Sequence, residues 1–313
     1  MRADDWHLTE ETENPADIED FLDRAGDFLR SRPALHTTQL SMLEKWRAQG
    51  PDAPGSEARV LGRLEERGEV RAVLFHRRAS RRLMLTSLSP EQADALAALW
   101  ARLGRPLAGV TADHETAAAF AAAWQRHTGA EPTVRVRLHL YRLGTLTPPE
   151  PFPEGRGRLV GEREHEHLMD WCRAFAADVG EEVTINAGTW AGTRFAEKRY
   201  TYWETADGTP VSMAGANPPA GGQVRIDPVY TPAHLRGRGY GAAVTVEVSR
   251  AARAAGAEEV VLYTNAANPT SNALYRRLGY RRVTDFLAYD FTPAGPVGKR
   301  LSSGCRDDPN GRP

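Results

Sequence analysis

The sequence predicts an α/β fold with a mixed sheet, of the α+β kind, built as two units of one design in tandem. Three observations predict it. An apolar run, a glycine-dense turn and an alanine-rich run follow one another over 223–255 and read as strand, turn and helix. The order of elements expected over 82–143 matches that over 225–291: strand, turn, helix, strand, helix, strand in each. Between the two, Pro148, Pro149, Pro151, Pro153, Gly155 and Gly157 crowd a stretch that can continue neither a helix nor a sheet ladder, which makes it a linker.

Composition bounds the rest. With 313 residues, 41% of them hydrophobic, and a formal net charge of −1, the chain is expected to be a soluble globular protein of roughly two domains. No basic surplus points to nucleic acid. No apolar run approaches the roughly 20 residues that a membrane span needs, and the first residues, Met1-Arg2-Ala3-Asp4-Asp5, are acidic, so the expected compartment is the cytoplasm. Cys172 and Cys305 make neither a disulfide framework nor a metal cluster and are read as free thiols.

The first unit is expected over 1–147. Apolar residues recur at helical spacing over 17–31 and 38–49. A hairpin over 60–77 turns at Glu66-Arg67-Gly68, and a third strand covers 82–88. Ser89 and Pro90 then supply a cap and a first-position proline for a helix that ends at Leu103. A strand over 107–110, a helix over 115–127 and a strand over 134–143 complete it. The linker occupies 148–157.

The second unit is expected over 158–292. It opens with a strand at 158–160 and a helix at 164–178, whose Leu168, Trp171, Cys172 and Phe175 share a face. Another helix is expected over 187–199. A hairpin pairs 200–204 with 211–216 around Ala206-Asp207-Gly208. The central strand, 223–231, contains Pro228, and a proline inside a strand implies a bulge or an edge because it cannot donate to the ladder. The last strand covers 285–291, and the polar, glycine- and proline-rich tail 293–313 is expected to be disordered. His165-Glu166-His167 offers ligand types, but helical residues two apart point about 200° apart and cannot share an ion, so no metal site is expected.

Chemistry concentrates in Arg236-Gly237-Arg238-Gly239-Tyr240-Gly241. Glycines let the backbone turn sharply toward a ligand, and the helix that follows offers unpaired N–H groups and a positive dipole end, so an anion belongs there. A Walker loop would need a lysine after its last glycine, and the chain's three lysines stand at 45, 198 and 299. A dinucleotide fingerprint would need a different last glycine spacing and an acidic residue closing the next strand, where Thr264-Asn265 stands instead.

The pattern that fits is Arg-x-x-Gly-x-Gly, and the strand Val260-Val261-Leu262-Tyr263-Thr264 is followed by Asn268-Pro-Thr-Ser-Asn272-Ala-Leu-Tyr275-Arg-Arg-Leu-Gly279-Tyr280. With both segments in order, the chain resembles the GNAT superfamily of N-acetyltransferases. The resemblance implies two tandem GNAT-like domains, each a splayed central sheet flanked by helices, and acetyl-CoA as acyl donor with coenzyme A as product. It implies that Arg236, Gly237, Arg238, Gly239, Tyr240 and Gly241 hold the pyrophosphate, chiefly through backbone amides, and that Val229, Tyr230 and Thr231 line the pantetheine arm where the sheet splays. Asn268 would hydrogen-bond that arm, with Asn272 only capping or decorating the helix. Tyr275 would protonate the departing thiolate, and Asp227 or Glu204 would serve as base for an attacking primary amine in a ternary complex, with His234 a surface residue and water alone the remaining option.

The first unit lacks this equipment. Ser87-Leu88-Ser89-Pro90-Glu91-Gln92 stands where the glycine turn would be, Glu91 would repel a pyrophosphate, and Phe120 and Trp124 stand in place of the tyrosine. A degenerate copy that supports the other unit is the reading. Length and an inactive first half also resemble the mycothiol synthases, a narrower option. The acceptor would be a small-molecule or peptide amine and the protein a monomer or homodimer. A non-catalytic acyl-CoA sensor keeps the same loop for binding alone.

Overall fold

The structure, a computed structural model, describes residues 5–10, 15–48, 59–78, 80–179 and 196–293. In chain order the first half contributes β1 (Trp6–Leu8), α1 (Pro15–Arg30), α2 (Thr37–Ala48), β2 (Arg59–Glu66), β3 (Glu69–Arg77), β4 (Arg82–Leu85), α3 (Pro90–Arg102), β5 (Gly109–Asp113), α4 (His114–Thr128) and β6 (Glu131–Leu143). The second half contributes β7 (Arg156–Leu159), α5 (His165–Asp178), β8 (Arg199–Glu204), β9 (Pro210–Ala216), β10 (Gln223–Tyr230), α6 (Tyr240–Ala254), β11 (Glu259–Asn265), α7 (Pro269–Arg277) and β12 (Tyr280–Thr292). The strand expected over 107–110 begins two residues later; most of the helix expected over 187–199 lies outside the described residues, and of its described end 196–198 is not helical and Arg199 opens β8. The tail beyond 293, with Cys305, also lies outside them.

Local chemistry accounts for the element ends. The hairpin of β2 and β3 turns through Arg67 and Gly68, both at positive φ. Ser89 and Gln92 form a reciprocal capping box at the start of α3 with Pro90 in its first turn. Asp113 caps α4, and Gly129 ends it in the left-handed conformation. Gly279 at φ +94 joins α7 to β12, and a Cβ there would lie 1.8 Å from the Thr145 carbonyl oxygen, so the position admits only glycine.

All twelve strands form one open mixed sheet in the order β1-β2-β3-β4-β5-β12-β6-β11-β10-β9-β8-β7, with helices packed on it. The sheet does not part at the linker. The last strand of each half crosses into the other: β6 lies between β11 and β12, and β12 lies between β5 and β6. The two long strands pair antiparallel from Tyr280↔Leu143 to Thr292↔Glu131. The cores mix accordingly: Leu287 and Phe291 complete the cluster of the first half, and Tyr141 and Leu143 that of the second. Thus units read as 1–147 and 158–292 along the sequence are interlocked in space.

Candidate active site

The site forms where two parallel strands fork. β10 and β11 pair only at Gln223↔Glu259, Val224↔Val260 and Arg225↔Val261. Beyond Arg225, β10 follows β9 and β11 follows β6, so the edges that face each other separate. The register of β10 against β9 slips between Ile226 and Val229, which places Pro228 in a bulge, as its missing N–H requires. Val229 and Tyr230 lie on the freed segment, with Cα partners Ala214 and Met213 on its other side. The Thr231 hydroxyl lies 2.9 Å from that of Ser212.

The fork leads into the glycine turn. Gly237 and Gly239 have φ +79 and +82, and Gly239 is the N-cap of α6 with no side-chain cap bond. The first helical bond is that from Ala243 N–H to the Gly239 carbonyl, so the N–H groups of Tyr240, Gly241 and Ala242 have no partner within the helix. They make a concentrated positive end beside the fork. In the first half the matching helix start is filled: Ser89 Oγ accepts from Gln92 N–H, and the same hydroxyl donates to the Glu91 carboxylate. The matching fork is also shut, because the Leu88 N–H donates to Thr116 Oγ1 and Gln39 Nε2 donates to the Leu85 carbonyl.

Tyr275, on α7, is 7% exposed and packs edge-on against Tyr280. Burial, then Tyr280, then the Asp227 carboxylate hold its hydroxyl well above the ordinary phenol range. Counted from the helix cap, fully buried Phe120 of α4 stands where Tyr275 stands in α7, so the first half has no hydroxyl there.

The structure brings together the fork, the uncapped helix start, Tyr275 and Asp227, and redistributes the remaining expected roles. Asp227 is ion-paired with Lys198, whose side chain is 7% exposed. Glu204 is set apart from them: it is buried in an ion-pair cluster, 2.7 Å from Arg158 Nε and 3.6 Å from Arg156 Nε, on the antiparallel pair β7 and β8 at the sheet edge. Both arginines belong to that edge of the sheet and not to the fork, and we assign Glu204 a structural role. Arg236 donates through Nε to the Thr231 carbonyl at 3.0 Å and pairs with Asp178 of α5, contacts that staple the loop. Arg238 and His234 are exposed.

The helix cap expected of Asn272 falls to Asn268. Asn268 caps α7, its Oδ1 accepting from Ser271 N–H at 3.0 Å. Asn272 is buried and binds the chain end of β11: its Nδ2 donates to the carbonyls of Asn265 and Ala266, and its Oδ1 accepts from the hydroxyls of Thr264 and Tyr141. Sequence reading missed this because both residues stand in one motif and only burial separates them. His167, of the histidine pair on α5, bonds the Tyr202 hydroxyl at 2.9 Å.

A forked parallel pair leads into an uncapped helix start, a geometry able to take an anion. Residues 168–280 match the model of the acetyltransferase (GNAT) family, and this part of the chain is a GNAT domain. Over most of its length the chain is similar to a GCN5-related N-acetyltransferase from Sphaerobacter thermophilus, at 18% identity and TM-score 0.53, covering 94% of this chain and 97% of that one. It is similar to a tandem GNAT protein from the clavulanic acid biosynthesis pathway, at 15% identity and TM-score 0.55, covering 93% and 99%. A GNAT-family acetyltransferase from Colwellia psychrerythraea aligns at 10% identity and TM-score 0.55, covering 92% and 99%. Likeness at such identities speaks for the fold. No curated protein matches the chain. Among the described residues no helix is long and apolar enough to cross a membrane.

Proposed function

We propose that the chain is an acetyl-CoA-dependent N-acetyltransferase whose chemistry takes place in the fork of the second half, and that it works in the cytoplasm on a small-molecule or peptide amine. The observation that carries this reading is the parting of β10 from β11 directly beside an uncapped helix start. The freed edge of β10 pairs with the amides of the pantetheine arm as a third strand would, and the N–H groups of Tyr240, Gly241 and Ala242 take the diphosphate.

The amine attacks the thioester carbonyl; a C–N bond forms, the C–S bond breaks, and coenzyme A leaves as thiolate. Asp227, ion-paired with Lys198, lines the approach of the neutral amine, and water carries away the proton that the amine loses as it attacks. Tyr275 faces the departing sulfur. Its raised pKa keeps the O–H intact, and since a thiol ordinarily titrates near 8.5, full transfer to sulfur is uphill. The hydroxyl therefore stabilises the thiolate as a hydrogen-bond donor.

Tyr275→Phe is accordingly expected to lower kcat by about tenfold to a hundredfold, the low end of acid–base effects, with acetyl-CoA affinity unchanged. An unaltered kcat removes the tyrosine from the reaction. The function itself is tested by thiol release from acetyl-CoA across a panel of amines. Turnover with one class identifies the acceptor; saturable binding without turnover across the panel leaves a sensor and ends the enzyme reading.

A further inference from the structure

The strand exchange creates a cavity beside β6, which flanks β11 on the edge opposite β10. Its volume is about 380 Å³, and His139 and Tyr141 of β6, Pro269, Asn272 and Arg276 of α7 and Arg282 of β12 line it. By helical spacing Pro269, Asn272 and Arg276 share one face, while Tyr275 and Leu278 enter the core. Neither half forms this cavity alone, because β6 belongs to the first half and α7 and β12 to the second.

The floor of the cavity is anchored, and the exposed Arg276 and Arg282 stand at its rim. Asn272 is anchored by its bonds to Asn265, Ala266, Thr264 and Tyr141. His139 and Asp285 are direct cross-strand partners, and His139 Nδ1 lies 2.7 Å from Asp285 Oδ1. Arg282 Nε donates to the same oxygen at 2.8 Å. Although burial pushes the Asp285 carboxyl up, the bonds from His139 and Arg282 outweigh it and hold the group below the usual range. The carboxylate is thus ionised, Nδ1 carries its hydrogen, and Nε2 is the ring's remaining polar atom.

The charge is unbalanced. Asp285 is shared between His139 and Arg282, and among the described residues Arg276 has no acidic partner, its Nε donating to the Asn272 carbonyl at 3.2 Å. A guanidinium presents several donors in a planar fork suited to carboxylate or phosphate. We infer that this cavity binds a small oxyanion, a carboxylate- or phosphate-bearing molecule, gripped by Arg276 and Arg282 beside the His139 ring that Asp285 holds in place.

The test follows the ring resonances of His139 by NMR in the full chain, assigned with His139→Asn, as inorganic phosphate or succinate is titrated at constant ionic strength in chloride. Saturable shifts with either anion are expected, the tighter of the two naming the headgroup. Arg276→Gln should weaken that binding by about tenfold or more, and Arg276→Lys, which keeps the charge, should restore part of it. No saturable shift with either anion, or an Arg276→Gln variant that responds like the parent, overturns the proposal. Anions taken up at the start of α6 leave the His139 ring unmoved, so this result and that of the acyl site are read separately.

Discussion

Gly239→Glu is expected to abolish acetyl-CoA binding, read by calorimetry, in a protein that stays folded. The residue sits at φ +82, where a side chain costs about 1–2 kcal/mol, and a Cβ there would meet Pro153 Cγ at 2.8 Å. A new carboxylate at a helix start gains about 0.3–1 kcal/mol from the dipole, which offsets part of that strain. Binding has no such offset. The added side chain lies over the N–H groups that would take a diphosphate, and its charge has the diphosphate's sign. Gly237→Ala is the matched control, for Gly237 has φ +79 but nothing within 4 Å of an added Cβ, so it carries the strain without the obstruction. Its binding should weaken modestly. Undiminished affinity in Gly239→Glu would show that the turn is not the grip.

Why the turn could be read from the sequence is a matter of range. Gly237 and Gly239 are needed for backbone angles fixed by their own neighbours, and Gly279 for a carbonyl that a Cβ would strike, so each leaves a mark at its own position. Pro228 is similar: a residue without an N–H inside an apolar run announces the bulge that begins the fork. Tyr275 is set by its count from the cap of α7. Side chains with several reachable partners were not legible. Arg236 can meet a phosphate or Asp178, and Glu204 an amine or two arginines; the choice is made by elements distant in the chain. Lys198 and His139 have the same character. One reads as an ordinary polar residue and the other as one position in an alternating strand until Asp227 and Asp285 are placed beside them.

The strand exchange was equally hidden, and it leads to the other large effect. β6 and β12 each show a strand's pattern, and nothing in 131–143 says that its neighbours will be β11 and β12 and not β5. Expressed alone, the segment 148–313 should fail to fold. Without β6, β11 loses its partner along Val261↔Arg142 to Asn265↔Leu138, and β12 loses the partners on both its edges. The core around Val244, Val260 and Tyr275 loses Tyr141 and Leu143, and a smaller cluster loses Leu140 from between Val261 and Phe286. Removing one large buried side chain typically costs about 2–5 kcal/mol, and three such losses are comparable to the roughly 5–15 kcal/mol by which a whole domain is stable. The segment 1–147 is the mirror case, since its own core lacks Leu287 and Phe291. Co-expression of both segments should restore a soluble pair that unfolds in a single transition, followed by circular dichroism, because each then supplies the other's missing strand. A cooperative transition and acetyl-CoA binding in 148–313 by itself would mean that the half closes on its own β12, and that the exchange contributes little to its stability.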